Sequence, residues 1–155
     1  MSTDEPVSCA AAALVRDTCL CLHLQRAARA VGRRFDDAFR PLDLTNGQFS
    51  LLMSLNRADP ATIGQVARLL AMDRTTLTAA LKPLERRRLV RVTVDAVDRR
   101  NRRLALTEDG RALLAAALPI WRREHAALDA FCNADGADIE RLRGDLRGLG
   151  LRQSP

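Results

Sequence analysis

Residues 73–103, DRTTLTAALKPLERRRLVRVTVDAVDRRNRR, constrain this chain more than any other stretch, because apolar side chains recur first with helical spacing and then with strand alternation. Asp73 is placed to accept hydrogen bonds from the free N–H groups of a first helical turn, and Leu77, Leu81 and Leu84 follow as a buried stripe. At about 100° per residue the opposite face carries Thr75, Ala79, Lys82 and Arg86, flanked by Thr76 and Thr78, with Arg74 reaching out from the first turn. Small and hydroxylated side chains let a helix come close to base edges and thymine methyls, and Lys82 and Arg86 stand where phosphates would run. Val90, Val92 and Val94 then alternate, as do Leu104 and Leu106, and the polar loop between them carries Arg99, Arg100, Arg102 and Arg103. Basic residues on a helix are often only a solvated face, and arginine is the default cation of a chain with one lysine. Order favours the other reading: a capped helix, a tight turn, a second capped helix and an arginine-tipped hairpin make a winged helix-turn-helix.

The flanking chain supplies the remaining pieces. Residues 1–8 read as a tail. Residues 9–39 read as one long helix with the apolar stripe Leu14, Cys21, Leu24, Ala28, Val31, Phe35 and Phe39. At ~1.5 Å per residue it would be about 45 Å long, more than one small domain needs, so part of it is expected to pack on another subunit. Pro41 ends it, and Thr45 with Gln48 forms a capping box for a helix that buries Phe49, Leu52 and Met53 and stops before Asp59 and Pro60. Thr62 with Gln65 forms another box, for a helix carrying Ile63, Val66, Leu69 and Leu70 and ending near Met72, one tight turn before Asp73. Pro83 removes the hydrogen bond to the Ala79 carbonyl, at ~3 kcal/mol in a straight helix, and predicts a bend. Thr107 caps a later helix with Glu108 and Asp109 in its first turn; it runs through Leu113, Leu114, Leu118 and Trp121 towards Phe131, with Pro119 as a second kink. A polar break over 133–136 precedes a last helix with Ile139, Leu142, Leu146 and Leu149.

At 155 residues the chain reads as one domain, able to bury roughly two-thirds of its unfolded surface without staples. Its net charge of +6 is unevenly placed: five of the six excess charges fall in residues 61–110, where eleven Lys and Arg face six acids. Such a local field favours a polyanion, the wing arginines suggest that it is nucleic acid, and the partner expected of the whole winged helix-turn-helix is double-stranded DNA. No apolar run approaches the ~20 residues of a membrane span, and the polar start carries no leader pattern, so no membrane association and a cytoplasmic location are expected. Cys9, Cys19, Cys21 and Cys132 do not make a disulfide framework. With no tyrosine, two histidines and no glycine-rich phosphate loop, no enzyme activity and no cofactor are expected. Cys19, Cys21 and His23 could be written as a metal cluster, but on a helix the two thiols point about 200° apart, so no metal site is assigned. His125 reads as an interface or surface histidine, and Trp121 as core or dimer interface rather than part of an effector pocket.

Four segments together carry a family resemblance: LDLTNGQFSLL at 42–52, TIGQVARLLAMDRTTLT at 62–78, PLERRRLV at 83–90 and DAVDRRNRRLALTEDG at 95–110. The chain resembles the MarR family of transcriptional regulators over nearly its whole length. The resemblance implies that the first and last helices interlock two subunits, that each winged helix enters one half of a pseudo-palindromic operator, and that a small ligand or an oxidant relieves repression. The family's wing pattern falls on Asp98 and Arg100, so Arg100 would reach the minor groove with Asp98 orienting the wing. Two departures stand out. Arg88 occupies a position where relatives have glycine, so the left-handed residue expected there must be strained or shifted. Val97 replaces an arginine common near the wing tip.

The expectation is therefore a mainly α winged helix-turn-helix with a two- to three-stranded β-wing and N- and C-terminal dimerisation helices. It would be a single MarR-like domain over 1–155, with dimerisation helices at 9–40 and 111–150 and the DNA-binding lobe at 41–110. Its function would be a homodimeric, sequence-specific repressor released by a small-molecule effector. Thr75, Thr76 and Thr78 with Arg74 would read the major groove, Lys82 and Arg86 would meet phosphates, and Arg99, Arg100 and Arg102 would reach the backbone and minor groove. An alternative is a thiol-based repressor. Residues 21–49 can be laid without a gap on the organic-hydroperoxide-sensing branch of the family, which places Cys21 on the reactive cysteine and leaves Cys132 as the only late cysteine for a disulfide with a partner subunit. The tyrosines that polarise the thiol in that branch are replaced by Gln25 and Phe35, Arg26 is the nearest cation, and the competing reading is that Cys21 simply packs. An alternative of another class is a basic module that binds nucleic acid without sequence preference.

Overall fold

Side-chain caps start most of the α-helices of this chain, and left-handed residues end several of them. The computed structural model describes residues 7–151, so most of the tail expected over 1–8 lies outside the described residues. The chain divides into two compact units, one up to Arg34 and one from Phe35 onward.

The first unit holds α1 (Cys9–Thr18) and most of α2 (Leu20–Phe39). Ser8 caps α1 by accepting from the Ala11 amide at 3.1 Å. The single helix expected over 9–39 is interrupted, because Cys19 leaves helical geometry at φ −70°, ψ 105°. Local bonds close α1 there: the Thr18 hydroxyl donates to the Leu14 carbonyl at 2.7 Å and the Cys19 amide to the Val15 carbonyl at 3.0 Å. No glycine or proline marks that break. Leu14, Leu20 and Leu24 are exposed.

The second unit is built on the winged helix. The last turn of α2 buries Phe35 and Phe39, and a 3₁₀ turn at Arg40–Leu42, carrying Pro41, ends it. Then follow α3 (Asn46–Ser54), β1 (Ala61–Thr62), α4 (Ile63–Leu69), α5 (Arg74–Arg86), β2 (Val90–Val94), β3 (Arg102–Leu106), α6 (Glu108–Ala134) and α7 (Ile139–Leu151). Both capping boxes form as expected, at Thr45/Gln48 and Thr62/Gln65. Thr107 caps α6, with Glu108 and Asp109 at the positive end of its dipole. The sheet is antiparallel in the order β1-β3-β2, with Ala61 opposite Leu104 and Val92 opposite Leu104 on the other side.

The core gathers Phe39, Leu52, Leu55, Leu77, Leu84 and Leu104, all essentially inaccessible. Phe39 stacks on Phe49 at 4.8 Å between centroids, and Phe49 in turn faces Trp121 at 6.5 Å. Two expected core residues are not there. Met53 is exposed because α3 turns Phe49, Leu51 and Leu52 inward instead, and Leu69 is exposed because the two-turn α4 buries only Val66 and Ala67. α5 runs on through Pro83 to Arg86, and α6 runs on through Pro119.

The ends of α4, α5 and α6 share one geometry. In each, the residue after the cap is left-handed, its amide bonds back to the carbonyl three before, and the next amide bonds to the carbonyl five before. Gly136 does this for α6, but Ala71 does it for α4 (φ 51°) and Arg88 for α5 (φ 58°). Arg88 is thus strained rather than shifted, since its Cβ crowds the backbone in that region. Its carbonyl is held by the Thr107 hydroxyl at 2.6 Å, and the Leu89 carbonyl accepts the Thr107 amide. Gly110 packs against this corner: a Cβ there would lie 2.2 Å from the Leu89 carbonyl oxygen.

Two substitutions test this corner. Gly110→Ala is expected to lower stability by about 1–3 kcal/mol, as overpacking against rigid backbone does. Arg88→Gly is expected to raise it by about 0.5–1 kcal/mol, since it relieves left-handed strain at some cost in chain entropy. Urea unfolding of the two variants beside the wild type checks both, and a more stable Gly110→Ala protein would contradict the packing.

Candidate nucleic-acid interface

The turn between α4 and α5 and the cap that starts α5 set the surface. Ala71 ends α4, and Asp73 then accepts the Thr76 amide at 2.8 Å and the Thr76 hydroxyl at 2.6 Å. That hydroxyl, followed by the Thr76 amide, holds the Asp73 carboxyl below the ordinary carboxylate range. With Leu77, Leu81 and Leu84 buried, Arg74, Thr75, Thr76, Thr78, Ala79, Lys82 and Arg86 are all exposed, on the side the periodicity indicated. The side chains of Arg74, Thr75, Lys82 and Arg86 make no hydrogen bond or ion pair with the other described residues, whereas Thr76 and Thr78 do.

The wing is organised by two aspartates. Asp98 accepts the Arg100 amide at 3.0 Å and the Asn101 side-chain amide at 2.9 Å, which closes the tip. Asp98 bonds the backbone of Arg100, leaving the guanidinium outward. Arg99, Arg100 and Arg102 are exposed and unpaired among the described residues. Beneath the tip lies Asp95, a charged residue only 5% exposed. It accepts the Val97 amide at 2.8 Å, the Asp98 amide at 3.2 Å and the Arg103 guanidinium, which also donates to the Pro60 carbonyl at 3.3 Å. Val97, at the tip, is 95% exposed.

The model of the MarR family matches residues 42–101. The chain is 40% identical to the Mycobacterium tuberculosis transcriptional regulator MosR in a complex with DNA; the match has a TM-score of 0.75 and covers 86% of this chain and 95% of MosR. It is 31% identical to the transcriptional repressor CouR bound to a 23-mer DNA duplex, with a TM-score of 0.73 and coverage of 84% and 91%. The chain belongs to the MarR family. SarZ of Staphylococcus aureus, an HTH-type transcriptional regulator, is 28% identical over 94 residues; the match takes in 61% of this chain and 64% of the length of SarZ.

Three features of this MarR-family chain were not read from its sequence. Asp95 has no signal beyond an aspartate before a turn, because its role depends on Arg103 arriving across the hairpin. Trp121 does not close a core: with Phe49, Met53, Leu69, Leu70 and Leu118 it lines an open, mostly apolar cavity of about 400 Å³. His125, read as an ordinary interface or surface histidine, is clasped between elements. Its ring lies 4.5 Å from that of Trp121, Nδ1 is 3.4 Å from Asp129, and Nε2 is 3.3 Å from Arg143, which itself pairs with Asp129 at 2.6 Å.

The cysteines are exposed or half-buried. Cys21 is exposed, which leaves the packing reading without support in the single chain, and the Gln25 side-chain amide donates to its sulfur at 3.3 Å. Cys132 is half-buried. Cys19 lies outside the helix, so the 200° argument no longer applies to it; among the described residues no group of three or more His, Cys, Asp or Glu stands together as a metal site. Among the described residues no helix is long and apolar enough to cross a membrane.

The Asp95 cluster gives a pH dependence of defined sign. The Val97 and Asp98 amides, then Arg103, hold its carboxyl below the ordinary range, so its contribution is complete above about pH 4 and is lost as pH falls through the lowered value. Asp95→Asn is expected to be less stable than wild type above about pH 5 and to lose less on acidification towards about pH 3. Urea midpoints measured across that range check this, and parallel curves for the two proteins would contradict it.

Proposed function

We propose that this chain is a sequence-specific DNA-binding transcriptional repressor that works as a homodimer and is released from a pseudo-palindromic operator by a small-molecule effector. One observation carries the reading: an exposed α5 face of small, hydroxylated and basic residues stands in the same lobe as three unpaired wing arginines. Helix-in-major-groove and arginine-in-minor-groove binding needs that pair of surfaces. The DNA complexes of MosR and CouR support it. Repression would be steric, by occupation of a promoter. The dimer is supported by the apolar residues left exposed in each unit: Leu14, Leu20 and Leu24 in the first, and Phe131, Leu142, Leu146 and Leu149 in the second. The cavity beside Trp121 falls in the size range of small-ligand sites and is the candidate for the effector.

A second reading is favoured by one contact. In a thiol-based repressor, Cys21 would be oxidised by an organic hydroperoxide to a sulfenic acid, with the hydroperoxide reduced to its alcohol. The sulfenic acid would then condense with the Cys132 thiol of a second subunit, forming a disulfide and releasing water. The Gln25 amide on an exposed sulfur supplies a donor where the hydroperoxide-sensing branch uses tyrosine. If Cys21→Ser releases DNA under hydroperoxide as readily as wild type, this reading is wrong.

Competition binding separates a repressor from a non-specific basic module: preference for a selected operator over random duplex of about 10³ or more at fixed salt is expected. Thr75→Phe should abolish that preference while leaving weak, salt-sensitive binding, whereas Arg100→Ala should weaken all duplexes and flatten the salt dependence. Normal operator binding by Thr75→Phe would show that the reading face has been assigned wrongly. Light scattering that finds a stable monomer at micromolar concentration would overturn the dimer.

A further inference from the structure

Three threonines stand on the exposed α5 face, and their hydroxyl protons are not equally available. The Thr76 hydroxyl donates to the Asp73 carboxylate at 2.6 Å, and the Thr78 hydroxyl turns back along the helix to donate to the Arg74 carbonyl at 2.7 Å. Each hydroxyl has one proton, so neither can donate it to a base without losing its present bond. Of the three, Thr75 has a hydroxyl that bonds to no other described residue. The Thr78 oxygen can still accept a hydrogen bond, but its proton is spent on the helix, and its methyl makes no competing polar contact. That side chain belongs to a shallow concavity of about 340 Å³ lined by Arg74, Thr75, Thr78, Ala79 and Lys82. The lining thus joins two cations, Arg74 and Lys82, to the methyl of Ala79. In the major groove, thymine is distinguished by a C5-methyl that projects from the base edge and is read by apolar contact.

We propose that Thr78, with Ala79 beside it, is a thymine-reading residue that works through its methyl group, with its hydroxyl serving the helix and not the base. This rests on the DNA-reading function proposed above and specifies one base class for one position of the operator. Lys82, which also lines the concavity, would hold a phosphate that sets its depth in the groove.

The test uses the full-length protein and the duplex that it enriches most strongly from a random-sequence pool. Each thymidine of that duplex is replaced in turn by deoxyuridine, which removes only the methyl, and binding is measured for wild type, Thr78→Ser and Thr78→Val. One thymine per half-site should be uracil-sensitive in the wild type by about four-fold, the change that one buried methyl (~0.8 kcal/mol) corresponds to. Thr78→Ser should bind the all-thymine duplex about fifteen-fold more weakly, about four-fold for each of the two half-sites that a homodimer covers, and be indifferent to uracil at that same position, whereas Thr78→Val, which keeps methyls and loses the hydroxyl, should bind like wild type. Thermal melting of the three proteins confirms that the fold is unchanged. If Thr78→Val is weakened and Thr78→Ser, which keeps the hydroxyl, binds like wild type, the hydroxyl is the reader and the inference is wrong. If uracil sensitivity is the same in wild type and Thr78→Ser at every position, another residue reads the methyl. If no duplex is enriched at all, the DNA-reading function fails and this inference with it.

Discussion

Burial of Leu77, Leu81 and Leu84 is the constraint on which the rest of the lobe depends. A helix of thirteen residues with three leucines on one stripe has one rotation about its axis that removes them from water, and that rotation decides what faces outward. Arg74, Thr75, Thr78, Ala79, Lys82 and Arg86 are exposed as a consequence. Both ends of the helix are then held by left-handed corners, Ala71 before it and Arg88 after it, and the second corner is clamped to the start of α6 by Thr107 and by the close approach of Gly110. The strain at Arg88 is offset by this clamp, which also sets where the hairpin leaves the helix.

Charge in this lobe is arranged by what the carboxylates do not pair with. Asp73, Asp95 and Asp98 all accept backbone amides at turns or caps, so their negative charge shapes the chain locally. Arg103 is drawn beneath the wing by Asp95, but Arg99, Arg100 and Arg102 keep their full donor sets outward. An arginine with no protein partner gives up no existing ion pair on meeting a phosphate, and its planar fork suits bidentate contact. The basic character legible in the composition thus becomes a directed surface because three aspartates are occupied elsewhere.

The hydroxyls of α5 follow the same division. Thr76 completes the cap of its own helix and Thr78 bonds a carbonyl one turn back, so two of the three threonines contribute shape and methyl groups more than free donors. Their residue type was legible from the sequence, but the hydrogen bond each one makes was not, because a threonine proton has several acceptors in reach and only the folded backbone selects one.

Capping boxes, the leucine stripe, strand alternation and the order of elements were legible because each depends on residues within one or two turns of each other. Thr45 with Gln48, Thr62 with Gln65, Asp73 and Thr107 all start the helices they were expected to start. What the sequence did not disclose depends on distant partners or on fine competition between local bonds. The break at Cys19 arises among residues that would all accept a helix, and Met53 and Leu69 are apolar at helical spacing yet exposed. Asp95 is one of nineteen acids until Arg103 crosses the hairpin to meet it. By itself, then, the sequence determined where the capped helices start, which segments of the lobe are helix and hairpin, and which face of α5 is presented, since those follow from periodicity and caps. The tertiary structure alone decided which aspartates hold the wing, which arginines stay free and which threonine keeps its proton, since burial and hydrogen bonding between segments are settled only when the segments meet.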